Sequence, residues 1–353
     1  MDAEADPKTR RSPAAFRADR NAHVAGTAVK AAWWAAAALA MRAIARPADA
    51  PAKFAPTAEP APKGFFRRAW LEAFEKDAAD VAAGLFPPMS EADAPGSAAR
   101  RTLDMLADAR DVEARRRRSG GVEVRDEAPS SFPPYYRQNF HFQSGGWFTK
   151  TSARRYESQV EALFAGAAGP MRRRALSLLA KAWRGADQRS LTLVDLACGS
   201  GAFLNNLAET FPRARIVGLD LSEPYAGEAR RRSGLSTAVG NAERLPFADA
   251  SLDGVSCVYL FHELPPKVRK TVAAEIARVL RPGGRLAFAD SIQPADEPRL
   301  ARSLETFPAY FHEPFFASYA RTDLPALFAQ VGLVLVDQDS AFLTKALLLE
   351  KVG

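Results

Sequence analysis

Between residues 191 and 350, short apolar runs alternate with stretches in which apolar residues recur at every third or fourth position. The runs predict strands over 191–196, 215–219, 235–239, 254–260 and 284–290, with a closing pair near 333–338 and 342–350. Strand and helix in strict alternation predict a parallel, doubly wound α/β sheet, because each helical crossover returns the chain to the same end of the sheet. Ahead of the first strand, 170–183 reads as a helix with Met171, Ala175, Leu178, Leu179 and Ala182 on one side.

Upstream the periodicity thins. Phe66, Trp70, Phe74, Ala78 and Val81 sit at helical spacing within 65–85, a weaker helical stretch covers 98–118, and one further helix is predicted over 24–45. Prolines crowd the segment PADAPAKFAPTAEPAPK too closely for more regular structure. The predicted organisation is therefore a partly helical, partly disordered flexible or targeting extension over 1–63 and a helical accessory region over 64–120. A linker with aromatic cap helices over 121–190 and the main domain over 191–353 follow.

Composition adjusts this picture only slightly. A chain of 353 residues with 47% hydrophobic content supports one full α/β core plus an accessory region. The net charge of +7 is spread along the chain, and the run Arg115–Arg118 reads as a solvated helix end, so no nucleic-acid partner is expected. Cys198 and Cys257 both lie in strand-like settings, which argues against a disulfide framework and fits a reducing compartment. The expected location is the cytoplasm, or an organelle such as a plastid if the extension is a targeting segment. The apolar stretch Ala31–Met41 is far shorter than the roughly 20 residues a membrane-spanning helix needs. Peripheral contact of 24–45 with a membrane, through Trp33, Trp34 and Met41, remains open. His23, His141, His262 and His312 show no zinc-type spacing with the cysteines, and no metal is expected.

The chemistry concentrates at strand ends. In LTLVDLACGSGAFLNNLAETF a strand reaches Asp195, and a tight turn through Gly199-Ser200-Gly201 opens a helix. Such a turn allows a ligand close to the backbone. A dinucleotide site would require a third glycine where Leu204 stands, and Asp195 would repel phosphates. A carboxylate there suits a ligand bearing an ammonium group and no phosphate. The second strand ends at Asp220, placed to accept from both hydroxyls of a ribose, with Leu221 beside it for the face of a base. The third offers Asn241-Ala242, and VAAEIARVLRPGGRLAFADS passes from an amphipathic helix through Pro282-Gly283-Gly284 into a strand.

These four motifs, spread over about residues 135–350, resemble the class I S-adenosylmethionine-dependent methyltransferases. Within them the resemblance is to the type 11 domain group that includes quinone-biosynthesis C-methyltransferases. It implies a Rossmann-like, seven-stranded, mostly parallel sheet with an antiparallel last strand. It also implies S-adenosyl-L-methionine as cofactor, with Asp195, Ala197, Gly199 and Gly201 around the methionine moiety, Asp220 and Leu221 at the ribose and adenine face, and Asn241 with the Ala242 amide at the adenine edge. Ala197 stands where the family often has glycine, at little expected cost. Asn241 replaces the usual aspartate and would exchange a charge-assisted hydrogen bond for a neutral one.

Methyl transfer to such an acceptor requires a base only where the acceptor loses a proton. Phe261-His262-Glu263-Leu264 occupies the segment that borders the substrate in the family, which makes His262 and Glu263 the expected catalytic pair. Aromatic settings around His141, His262 and His312 allow these three to converge over the pocket, and His141, Tyr156, Phe261 and His312 are expected to line it. Tyr135, Tyr136, Phe140, Trp147, Phe148, Tyr156, Phe311, Phe315, Phe316 and Tyr319 supply an aromatic wall suited to a flat, lipophilic small-molecule acceptor. The expected activity is methylation of oxygen or carbon in such an acceptor. RNA methylation and a non-catalytic cofactor-binding scaffold are the alternatives, and FHEL at the fourth strand end lacks the Asn/Asp-Pro-Pro-aromatic motif of many base-amino methylating enzymes.

Overall fold

The computed structural model describes residues 13–45, 55–89, 95–118, 120–125 and 128–353. Among them, seven strands form one sheet: β1 (Thr192–Leu196), β2 (Arg215–Asp220), β3 (Ser236–Val239), β4 (Leu252–Val258), β5 (Leu280–Ser291), β6 (Leu333–Ala341) and β7 (Thr344–Lys351). Their order is β3-β2-β1-β4-β5-β7-β6. The pairs among β1 to β5 are parallel, and β7 runs antiparallel to both β5 and β6. All seven expected strands are present. The fifth begins early: Leu280 already pairs with Leu252, and the chain then loops out through Pro282-Gly283-Gly284 before Arg285 pairs with Gly254.

The helices are α1 (Pro13–Ala45), α2 (Phe65–Ala82), α3 (Pro95–Arg117), α4 (Lys150–Leu163), α5 (Ala168–Ala182), α6 (Ala202–Thr210), α7 (Glu223–Ser233), α8 (Pro266–Val279), α9 (Ala301–Tyr310), α10 (Phe316–Tyr319) and α11 (Leu324–Ala329). They cover both faces of the sheet. Leu286 and Phe288 of β5 pack with Val272, Ile276 and Phe328 from α8 and α11. Ala287 and Ala289, alternating with them, pack on the other face with Leu176 and Leu179 of α5 and Leu204 and Leu207 of α6. Burial on both faces accounts for the near-continuous apolar reading of these strands.

The helix expected over 24–45 begins at Pro13, a residue tolerated in a first turn, while 1–12 and 46–54 of the predicted extension lie outside the described residues. α1 is docked. Trp34 and Ala37 pack against Met105 of α3 and Ala162 of α4, and Val29, Trp33 and Leu39 face outward. Ionic contacts tie the N-terminal helices to α5, whose three consecutive arginines are all buried. Arg172 pairs with Glu157, Arg173 with Asp77, and Arg174 with Asp80 and Asp339. In the expected solvated run, Arg117 and Arg118 are exposed, but Arg115 is half-buried and donates to Glu123 and to the Phe142 carbonyl.

Candidate active site

β1 enters a turn in which Ala197 (φ 56°), Gly199 (φ 55°) and Gly201 (φ 86°) all take the left-handed conformation before α6 begins. Left-handed residues at alternate positions curl the backbone into a concave cradle. A Cβ built on Gly199 would meet nothing within 4 Å, so this glycine leaves open space beside the turn. Gly201 differs: a Cβ there would lie 2.8 Å from the Ala229 Cα, which makes it a packing glycine between α6 and α7, and it does not line the cleft. Of the residues expected around the methionine moiety, Gly201 is therefore absent from the cleft lining, while its neighbours Ser200 and Ala202 are part of it. Ala197 bears a strain that the sequence does not reveal, since a left-handed alanine costs about 1–2 kcal/mol.

Over the carboxyl ends of β1, β2 and β4 lies a cleft of about 1000 Å³, open mouth included. Its floor comprises Asp195, Ala197, Gly199, Asp220, Leu221, Asn241 and Ala242, and Tyr135, Tyr136, Trp147 and Tyr156 form the facing wall. Asp195 is 1% exposed; its Oδ1 accepts from the Ser256 hydroxyl at 2.6 Å, and its Oδ2 has no hydrogen-bond partner. Burial pushes this carboxyl up to about 7, with the nearby Asp220 adding to the effect. Asp220 accepts from the Gly199 amide through Oδ2 and the Ser222 amide through Oδ1, each at 2.8 Å. Burial raises it to about 6 against the opposing effect of those amides. The Asn241 side-chain oxygen accepts from the Glu243 amide at 2.9 Å, so it holds its own turn together.

The other expected pocket residues separate. Tyr156 is on the cleft wall. Phe261 is fully buried against Phe288 and Phe328 and belongs to the core. His262 lies away from the cleft lining, among Phe316, Tyr319 and Tyr259, with Nδ1 2.6 Å from Asp290 Oδ1. Burial opposes its charge, but Asp290 outweighs burial and raises the imidazole to about 9. An imidazole protonated at neutral pH and removed from the cleft is not placed as a general base, which corrects the expectation for His262. His312 lies 2.7 Å from the Gln138 Oε1 and packs near Phe140 and Phe142, outside the cleft lining. The histidine-bearing segments do meet, but through different side chains: His141 lies between Glu263 and Glu313. Of these three only Glu263 lines the cleft, and burial together with Glu313 raises its carboxyl.

Sequence reasoning missed two features, of which only the second had a signal. Arg172 reaches the cleft wall held by both oxygens of Glu157, at 2.5 and 3.2 Å, a pairing between neighbouring helices that spacing cannot show. Asp290, which anchors the 261–263 turn through the Phe261 amide and the His262 ring, does lie at a strand's carboxyl end, where functional side chains collect in such sheets.

A family model described as a methyltransferase domain matches residues 193–284. A ubiquinone/menaquinone biosynthesis C-methyltransferase of Desulfotalea psychrophila is 36% identical over 106 residues, 29% of this chain and 42% of that protein. A fatty-acid O-methyltransferase of Mycolicibacterium smegmatis is 36% identical over 126 residues, 35% of this chain and 45% of that protein. An uncharacterized methyltransferase of Synechocystis is 33% identical over 148 residues, 41% of this chain and 67% of that protein. The chain belongs to the methyltransferase family. The chain spans about half the length of the first two relatives, and the family model's match, 193–284, takes in β1 to β4 and the glycine turn.

Proposed function

We propose that this methyltransferase moves a methyl group from S-adenosylmethionine to an oxygen or carbon of a small, lipophilic or aromatic acceptor. The observation that carries the reading is the buried, unpartnered Asp195 Oδ2 at the glycine turn, which fits a ligand ammonium group and would repel a phosphate. When bound, the cofactor supplies an electrophilic methyl on a sulfonium. Gly199 gives it room against the turn, Asp220 faces the ribose, and Leu221 and Ala242 border the base. Tyr135, Tyr136, Trp147 and Tyr156 exclude water and present flat apolar surface to the acceptor, while Glu263 stands where a polar group of the acceptor would be held. The relatives' names, a C-methyltransferase of ubiquinone/menaquinone biosynthesis and a fatty-acid O-methyltransferase, agree with such a wall.

Calorimetric titration with S-adenosylmethionine and S-adenosylhomocysteine, followed by a screen of lipophilic phenols and quinones, tests the proposal. Micromolar cofactor binding with methylated product is expected, and Glu263→Gln should lower kcat/KM for the acceptor about tenfold or more without weakening the cofactor. Absence of cofactor binding by the folded wild type would sink the reading.

A second expectation concerns pH. An ammonium ligand needs the ionised Asp195, and protonation through about pH 7 removes that charge. Affinity for S-adenosylhomocysteine should therefore fall as pH is lowered, by about tenfold between pH 8 and 6. Asp195→Asn should bind weakly at pH 8 and flatten the profile. An unchanged slope in the variant would assign the dependence elsewhere.

A further inference from the structure

Where the segments 139–142, 261–263 and 311–314 meet beside the cleft, we infer that His141, Glu263 and Glu313 form a site for one divalent transition-metal ion. One donor atom from each residue lies within 4.8 Å of the other two. Ligands about 2.1 Å from a common ion stand about 3.0 Å apart at right angles and about 4.2 Å apart across it, so these donors, within 4.8 Å of one another, share one ion once side-chain rotation draws them together.

The hydrogen bonding points the same way. Glu313 is 3% exposed, and neither of its carboxylate oxygens has a hydrogen-bond partner. His141 Nδ1 lies 2.9 Å from Glu313 Oε1, an ion-pair distance, yet no hydrogen bond of good geometry satisfies either atom. Buried groups this close ordinarily align donor to acceptor. Close approach without alignment is the relation of two neighbouring ligands that both face an ion. His141 Nε2 is 3.6 Å from Glu263 Oε1, beyond hydrogen-bond reach.

The backbone supports the arrangement. His141 (φ 54°) and Phe142 (φ 55°) are consecutive non-glycine residues in the left-handed region, a strained conformation that turns this short segment at the cluster. One imidazole nitrogen with two carboxylate oxygens suits Mn²⁺, Fe²⁺ or Zn²⁺ better than a soft ion or an all-oxygen calcium cage.

Glu263 also lines the cleft, so an ion it holds borders the space in which the acceptor is proposed to sit. The site thereby selects acceptors that present a phenolic, enolic or carboxylate oxygen, a step that rests on the methyl-transfer reading; the metal site itself does not.

The test uses the full chain treated with EDTA and then titrated with Mn²⁺, followed by electron paramagnetic resonance, and with Zn²⁺, followed by calorimetry. One equivalent of tightly bound ion is expected, with affinity reduced roughly 100-fold in both Glu313→Gln and His141→Gln. Near-ultraviolet circular dichroism and S-adenosylhomocysteine binding establish that the variants are folded. Failure of the wild type to bind either ion stoichiometrically, or binding by the folded variants as tight as the wild type's, overturns the metal site and leaves a protonated histidine between two carboxylates. Metal binding without cofactor binding would instead retain the site and overturn the methyl-transfer reading.

Discussion

Asp77→Ala is expected to destabilise the protein by about 3–5 kcal/mol. The Asp77 carboxylate is fully buried and accepts from Arg173 Nε and Nη2 at 2.7 and 2.6 Å, with His23 Nε2 also at 2.7 Å. Its removal leaves the Arg173 guanidinium, 1% exposed, with its principal counter-charge gone from the junction of α1, α2 and α5. Burial opposes ionisation of Asp77, and Arg173 outweighs burial and holds the carboxyl well below the ordinary range. A lowered value means that the stabilisation is present above the ordinary carboxylate range and is lost as pH falls toward the lowered one. Urea unfolding at pH 7 and at about pH 2.5, well below the ordinary carboxylate value, measures both effects. The wild type should lose more stability on acidification than the variant, and equal midpoints at pH 7 would refute the ion-pair account.

Asp220→Asn is expected to weaken S-adenosylhomocysteine binding by about 100-fold, on the proposed cofactor reading. Each carboxylate oxygen accepts a backbone amide, one from Gly199 in the first turn and one from Ser222 after β2. An asparagine matches only one of these, because its NH₂ group would face the other amide donor to donor. The substitution thus removes the charge that would face the ribose and loosens the turn that receives the rest of the ligand, and two charge-assisted hydrogen bonds account for roughly this factor. Calorimetry at pH 8 decides it; affinity within threefold of the wild type's would show that Asp220 does not face the ligand.

The sheet was legible because the central parts of its strands are buried, so β1, β2, β4 and β5 stand out as short, mostly apolar runs, and the glycine turn marks where β1 ends. Side-chain direction inside the 261–263 turn was not. In a tight helical turn of about three residues, consecutive side chains diverge by roughly 120°. Phe261 enters the core, His262 meets Asp290, and Glu263 alone reaches the cleft, so the neighbour of the expected base occupies its place. Arginines 172–174 illustrate another limit. Three adjacent charges in a helix read as a solvated face, yet each is buried because its acid arrives from a distant segment: Glu157, Asp77, or Asp80 with Asp339. Sequence shows where charges lie along the chain and is silent on which helix will bring the partner. The left-handed Ala197 belongs with these, since its strain follows from a turn geometry in which glycine would be at ease.

The placement of β7 between β5 and β6 has a consequence for how the protein is made. β7 is synthesised last of the seven strands, and about 60 residues separate the end of β5 from the end of β7. At 5–20 residues per second the ribosome needs roughly 3–12 s to cover that distance. Throughout that interval β5 is an edge strand whose free N–H and C=O groups can pair with any other chain. Its two faces carry Leu286 and Phe288 on one side and Ala287 and Ala289 on the other. The nascent chain is thus most exposed to misassembly between the completion of β5 and the arrival of β7, with the cleft strands already made and β5 still bare.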